Sequence, residues 1–159
     1  MFTKEAVKSL HTWAHQSLDV LFAHAATLGG EDFVRPLAGF GQASVRDQLV
    51  HIVFVEEAWI KALQGIRYQP WRPDDFRSLA TIVPAKDSVR RATAAYLERL
   101  GESELNAPVQ PGEQWAGPPR SPAFIIQHIV THSFHHKGQV VAMCRILGHP
   151  APDTDLQRS

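Results

Sequence analysis

Apolar residues recur along this chain at the three- and four-residue spacing of amphipathic helices, and nowhere in the sustained alternation of a half-buried strand. Four stretches carry the pattern. Thr3 is placed to cap a first helix running to about Leu28, with Leu10, Trp13, Val20, Leu21 and Leu28 as its buried face and Gly29-Gly30 as its stop. Ser44-Val45-Arg46-Asp47 has the form of a capping box and opens a second helix that reaches about Leu63 and ends at Gly65. A third is expected from about Lys86 to Leu100, with Val89, Thr93, Tyr96 and Leu100 as its stripe and Gly101 after it. The fourth starts at Ser121-Pro122, cap and first turn, and ends at Gly148. Ile125, Ile129, Val140, Met143 and Leu147 form its apolar stripe.

The connections are long. Residues 29–43 carry Phe33, Leu37 and Phe40 among glycine and proline, which predicts a connection that packs against the bundle. From Arg67 to Ala85, three prolines (Pro70, Pro73, Pro84) accompany Tyr68 and Trp71, so an extended aromatic-bearing loop is expected. Residues 106–122 hold five more prolines around Trp115 and predict a second irregular crossover. Four helices joined this way make an all-α four-helix bundle, and residues 1–159 suffice for one domain.

Charge and composition narrow the function classes. Sixteen basic residues balance sixteen acidic ones, which leaves no electrostatic footprint for nucleic acid or an anionic membrane. The single cysteine, Cys144, rules out an internal disulfide and falls on a core face. No apolar run approaches the roughly 20 residues of a membrane span, and no leader pattern opens the chain, so a cytoplasmic protein is expected.

The chemistry concentrates in histidine. Four of the nine fall between His128 and His136, inside the fourth helix. At about 100° per residue, His136 lies on the apolar stripe and His132 at its edge one turn earlier, whereas His128 and His135 sit further round. Imidazoles at i and i+4 present their nitrogens on one face, which suits a divalent ion such as Zn²⁺ or Ni²⁺ once a third ligand joins them. His51 is the candidate: it shares a stripe of the second helix with Gln48, Val55, Ala58 and Ala62 and is expected to meet the pair near one end of the core. Gln48 and Gln139 share faces with these histidines and are candidates to orient them or to touch substrate. His24 on the first helix is a candidate polar wall of a pocket; His11 and His15 are expected to be solvated. Glu56 and Glu57 turn away from the His51 stripe, and no catalytic base can be assigned.

His51 in "LVHIV" after the "SVRD" helix start, the string "HIVTHSFHHKGQ" and the ending "LGHPAPDTDL" together resemble the DinB/YfiT-like superfamily. The resemblance spans nearly the whole chain. It implies an up-down-down-up four-helix bundle and a three-histidine metal centre at His51, His132 and His136, the residues that the helix geometry also selects. It further implies homodimers, which the aromatic residues Trp71, Phe76 and Trp115 in the crossovers would also favour, and in some relatives transferase or isomerase activity with a low-molecular-weight thiol. Lys137 stands where the family string usually has arginine, a modest change for an outward side chain. The expected function is therefore that of a metal-dependent transferase acting on a small-molecule substrate with a small thiol. A metal-assisted hydrolase and a non-catalytic metal-binding dimeric bundle are the alternatives.

Overall fold

The structure, a computed structural model, describes residues 1–112 and 117–155; Trp115 lies outside them. Four long helices form the bundle: α1 (Lys4–Ala25), α3 (Val45–Leu63), α4 (Leu79–Arg99) and α6 (Pro122–Ile146). Two short helices, α2 (Gly30–Val34) and α5 (Glu102–Asn106), sit in the connections, with one turn of 3₁₀ helix at Pro73–Asp75. Among the described residues there is no strand, only an isolated antiparallel bridge between Val109 and Arg120 that gathers the last crossover. None of the described helices is long and apolar enough to cross a membrane.

The sequence signals act as caps in the expected places. The hydroxyls of Thr3, Ser44 and Ser121 accept from the backbone amides of Ala6, Asp47 and Phe124, which satisfies a first-turn donor in α1, α3 and α6. Gly65 and Gly148 follow α3 and α6 at φ of 69° and 84°, a region closed to most side chains.

Cross-helix contacts fix the topology. Lys8 pairs with Glu98 while Lys86 and Arg90 pair with Asp19, so α1 and α4 run antiparallel. Glu56 meets Thr93 and Gln64 meets Arg99, so α3 and α4 run parallel. Gln48 reaches Gln139 while the rings of Trp59 and His128 meet, so α3 and α6 are antiparallel. Ser17 meets Lys137 and His24 meets His149, so α1 and α6 are parallel. This is the up-down-down-up bundle.

Some expectations about the helices need correction. Helix α4 begins seven residues before the expected Lys86 and contains Pro84. Proline there removes the donor for the Ala80 carbonyl, but Ala80 and Pro84 are both exposed, so water can take its place. The buried face of α1 is Val7, Ala14, Leu18, Leu21, Phe22 and Ala25; Trp13 and Val20 lie outside it, 50% and 37% exposed. His11 and His15 are buried rather than solvated, at 4% and 3% exposure.

That burial has a structural consequence. The core consists of two apolar clusters, one around Leu21, Leu49, Ile82 and Met143, the other around Val7, Ile60, Leu97 and Ile126. Between them lies a polar layer of His11 and His15 from α1, Glu56 from α3 and Thr93 from α4, all buried. The three-histidine group on α3 and α6 lies at about the same height, midway along α6 rather than at one end of the core.

Candidate metal centre

Helix α6 presents His132 and His136 one turn apart, and antiparallel α3 brings His51 against both. The ring centroids are 5.0 Å apart for His51 and His132, 4.5 Å for His51 and His136, and 4.4 Å for His132 and His136. One ring nitrogen from each lies within 4.8 Å of the others. All three side chains are half-buried, so the group is open to solvent on one side.

The orientation of His136 is fixed by a hydrogen-bonded chain. Its Nδ1–H donates to Oε1 of Gln48 at 2.6 Å, which leaves Nε2 with a free lone pair for a ligand. Gln48 is fully buried, and its amide donates to the carbonyl of Gln42 at 2.8 Å and to Oε1 of Gln139 at 2.7 Å. The amide of Gln139 donates in turn to Nε2 of His135 at 2.8 Å. Gln48 thus touches His136 directly, whereas Gln139 touches Gln48 and His135. His24 stands elsewhere: its Nε2 meets the carbonyl of His149 at 3.0 Å, tying α1 to the segment after α6. The Asp47 carboxylate is held by Arg46 at 2.9 Å.

Electrostatics keep the three imidazoles neutral. Burial and then the neighbouring histidines push His132 down to about 3, burial and His51 push His136 down to about 4, and burial lowers His51. A carboxylate beside them would have raised these values. Their lone pairs are therefore free of protons throughout the neutral range. Three neutral nitrogen donors suit Zn²⁺ or Ni²⁺, and three ligands leave a coordination position for a further group. The donor set fits a divalent ion.

A second group, His11, His15 and Glu56, also brings three possible ligands within 4.8 Å, but the atoms that face one another are already hydrogen-bonded, and among the described residues only His15 Nδ1 of this group is buried without a partner. Glu56 Oε1 accepts from His11 at 2.8 Å and from the Thr93 hydroxyl at 2.6 Å, and Oε2 accepts from His15 at 2.9 Å. Burial favours the neutral acid here, but the bonds from His11 and His15 outweigh it and hold the carboxyl far below its usual range. Each ring nitrogen that faces the carboxylate already has an oxygen partner, unlike those of the three-histidine group. Sequence reasoning missed this network because polar residues on α1 read as a solvated face. The signal available was the shared i, i+4 spacing of His11 and His15 with Val7 and Leu18 on either side.

Lys137 is likewise inward rather than outward, at 5% exposure. Its ammonium donates to Ser17 Oγ at 2.9 Å and to the Thr154 carbonyl at 2.5 Å, and lies 3.8 Å from the centre of the Phe134 ring. It clasps residues 153–155 against the bundle. Cys144 is in the core, its thiol pushed up by burial.

Comparison with known proteins agrees with the bundle. The family model described as "DinB family" matches residues 1–159. The chain is 24% identical over 140 residues to the uncharacterized protein YizA of Bacillus subtilis (strain 168), covering 86% of this chain and 77% of that protein. The crystal structure of a DinB family member from Shewanella denitrificans superposes with a TM-score of 0.58 at 18% identity, covering 97% of this chain and 88% of the other.

Proposed function

The chain belongs to the DinB family, and from that premise we propose that it holds one divalent ion, Zn²⁺ or Ni²⁺, at His51, His132 and His136. We propose further that it uses the ion as a transferase that joins a low-molecular-weight thiol to a small electrophile. The observation that carries this reading is a convergent set of three neutral imidazoles that stays open to solvent. A purely structural ion is ordinarily enclosed by four protein ligands, and the single cysteine of this chain is on another face.

An ion held there supplies Lewis acidity, which favours the thiolate over the thiol at neutral pH. The chain's own residues do the rest. Gln48 holds the His136 tautomer, and α3 and α6 fix the donors on rigid helices, so little rearrangement accompanies binding. In the transfer, the thiol proton passes to solvent, the sulfur forms a bond to the electrophilic carbon, and the leaving group departs with the bonding pair.

The test is a cobalt-substituted protein. The reading expects the Co²⁺ absorption spectrum to change on addition of 2-mercaptoethanol, and expects chelated protein to stay helical and to melt cooperatively, because both core clusters pack without the ion. A spectrum indifferent to thiol, together with a bundle that unfolds on chelation, would make the ion structural and end the transferase reading.

We also propose a homodimer, on a different surface from the crossovers. Trp71 and Phe76 stack on each other and pack on the core, whereas Phe2 before α1, Trp13 midway along it and Phe124 in the first turn of α6 are 42%, 50% and 44% exposed. A dimer mass in light scattering supports that assembly, and a monomer mass at micromolar concentration removes it.

A further inference from the structure

Helix α3 carries a cavity of about 200 Å³ lined by Phe54, Val55, Ala58, Trp59, Ala62 and Tyr68. It starts one helical turn beyond His51: Phe54 and Val55 are three and four residues further on, so they share its face, and Ala58 and Ala62 continue the row. Across the bundle, the Trp59 ring packs edge-on against His128 at 5.4 Å, and His128 lies 6.0 Å from His132. The cavity is therefore separated from the three-histidine group by no more than one ring on either helix.

Its walls explain why space exists. Ala58 and Ala62 are 8% and 6% exposed, positions where a bundle helix commonly buries a large side chain. The segment after α3 roofs the space rather than filling it: Tyr68 meets Phe54 edge-on at 6.0 Å, and Trp71 meets Phe54 at 6.1 Å. Among the described residues, those that line the cavity are apolar or aromatic.

We propose that this cavity is the subsite for the hydrocarbon part of the electrophilic substrate, a group the size of a phenyl ring or a branched alkyl of four to six carbons. The proposal rests on the transferase reading and deepens it. Size sets the upper limit, since an apolar cavity of roughly 150 Å³ is enough to hold benzene. Chemistry assigns the occupant: a small cellular thiol is polar, so the electrophile is the partner that gains by leaving water for these walls. Position assigns the role, because a group seated against Phe54 and Val55 leaves the atom attached to it beside His51.

Two titrations test this. In the first, benzyl alcohol is added to chelated protein and the methyl resonances of Ala58 and Ala62 are followed by NMR. Saturable shifts of both methyls are expected, and Ala58→Leu, which fills the space, should abolish the shift at Ala62. In the second, 1-methylimidazole and 1-benzylimidazole compete for Zn²⁺-loaded protein in calorimetry. The benzyl compound is expected to bind at least about tenfold more tightly, from the apolar area it removes from water, with intermolecular NOEs to Ala58. In Ala58→Leu, and independently in Val55→Phe, the ratio of the two dissociation constants should fall towards one. Methyl shifts that never saturate, or equal affinity of the two imidazoles for the wild type, would overturn the subsite. A silent thiol titration of the Co²⁺ protein alongside saturable methyl shifts would instead overturn the transferase reading and leave the cavity a binding site for hydrocarbon groups.

Discussion

Replacing Glu56 by alanine should destabilise the bundle severely even though it touches none of the proposed ligands. The carboxylate accepts from His11, His15 and Thr93 in a buried layer. Thr93 has a fallback, since its hydroxyl also lies 3.1 Å from the Val89 carbonyl. Among the described residues, the nitrogens of His11 and His15 that face Glu56 have no second acceptor. Stranding two buried donors costs about 1–3 kcal/mol each, and truncation adds a cavity, so a loss of about 3–5 kcal/mol is expected. At roughly 2–4 °C per kcal/mol for a chain of this size, the melting temperature should fall by about 6–20 °C. Glu56→Gln keeps the shape and one acceptor, and a histidine can change tautomer to accept from the new amide, so about 1–2 kcal/mol is expected. Acid adds a second check. The folded-state carboxyl is depressed, so its contribution is present above the ordinary carboxylate range and is lost as pH falls below it. The gap between wild type and Glu56→Gln should therefore narrow below about pH 4.5. Thermal and urea melts followed by circular dichroism at 222 nm measure all three proteins. Melting of Glu56→Ala within a degree or two of wild type would refute the claim that this network holds the layer together.

Other consequences follow from the same geometry. Gln48→Ala frees the His136 ring and should weaken metal affinity by about 10–100-fold, read by competition with a chelating dye. Metal-free protein should lose stability on acidification below about pH 6.5, because burial depresses the folded-state values of His51, His132 and His136 and the unfolded chain takes up protons first; His132→Gln should flatten that dependence in melts taken from pH 7 to 4. Lys137→Met removes the donors that hold Ser17 and the Thr154 carbonyl, and should raise hydrogen exchange at residues 153–155 while leaving the α1 core protected.

Much of this protein is legible from spacing alone, and the exceptions share a cause. Caps and stops work locally, so Thr3, Ser44, Ser121, Gly65 and Gly148 mark helix ends in the sequence as they do in the fold. The His132–His136 pair is also local, a single turn of one helix, and His51 could be matched to it by the stripe it shares with Ala58 and Ala62. What depends on the partner helix could not be read. His11, His15 and Glu56 are ordinary surface residues until α1 and α3 face each other, and Lys137 is an outward cation until Ser17 and Thr154 enclose it. Pro84 reads as a helix breaker because its missing donor is a local fact, whereas the exposure of Ala80 that makes the loss tolerable is not.

The central claim is a metal ion bound by His51, His132 and His136, and the most direct test is metal content. Protein chelated, reloaded with Zn²⁺ or Ni²⁺, desalted and analysed by inductively coupled plasma mass spectrometry should carry about one ion per chain. His51→Ala, His132→Ala and His136→Ala should each lose it, while His11→Ala and His135→Ala retain it. A full complement of metal in His51→Ala, or its loss in His11→Ala, would contradict the assignment.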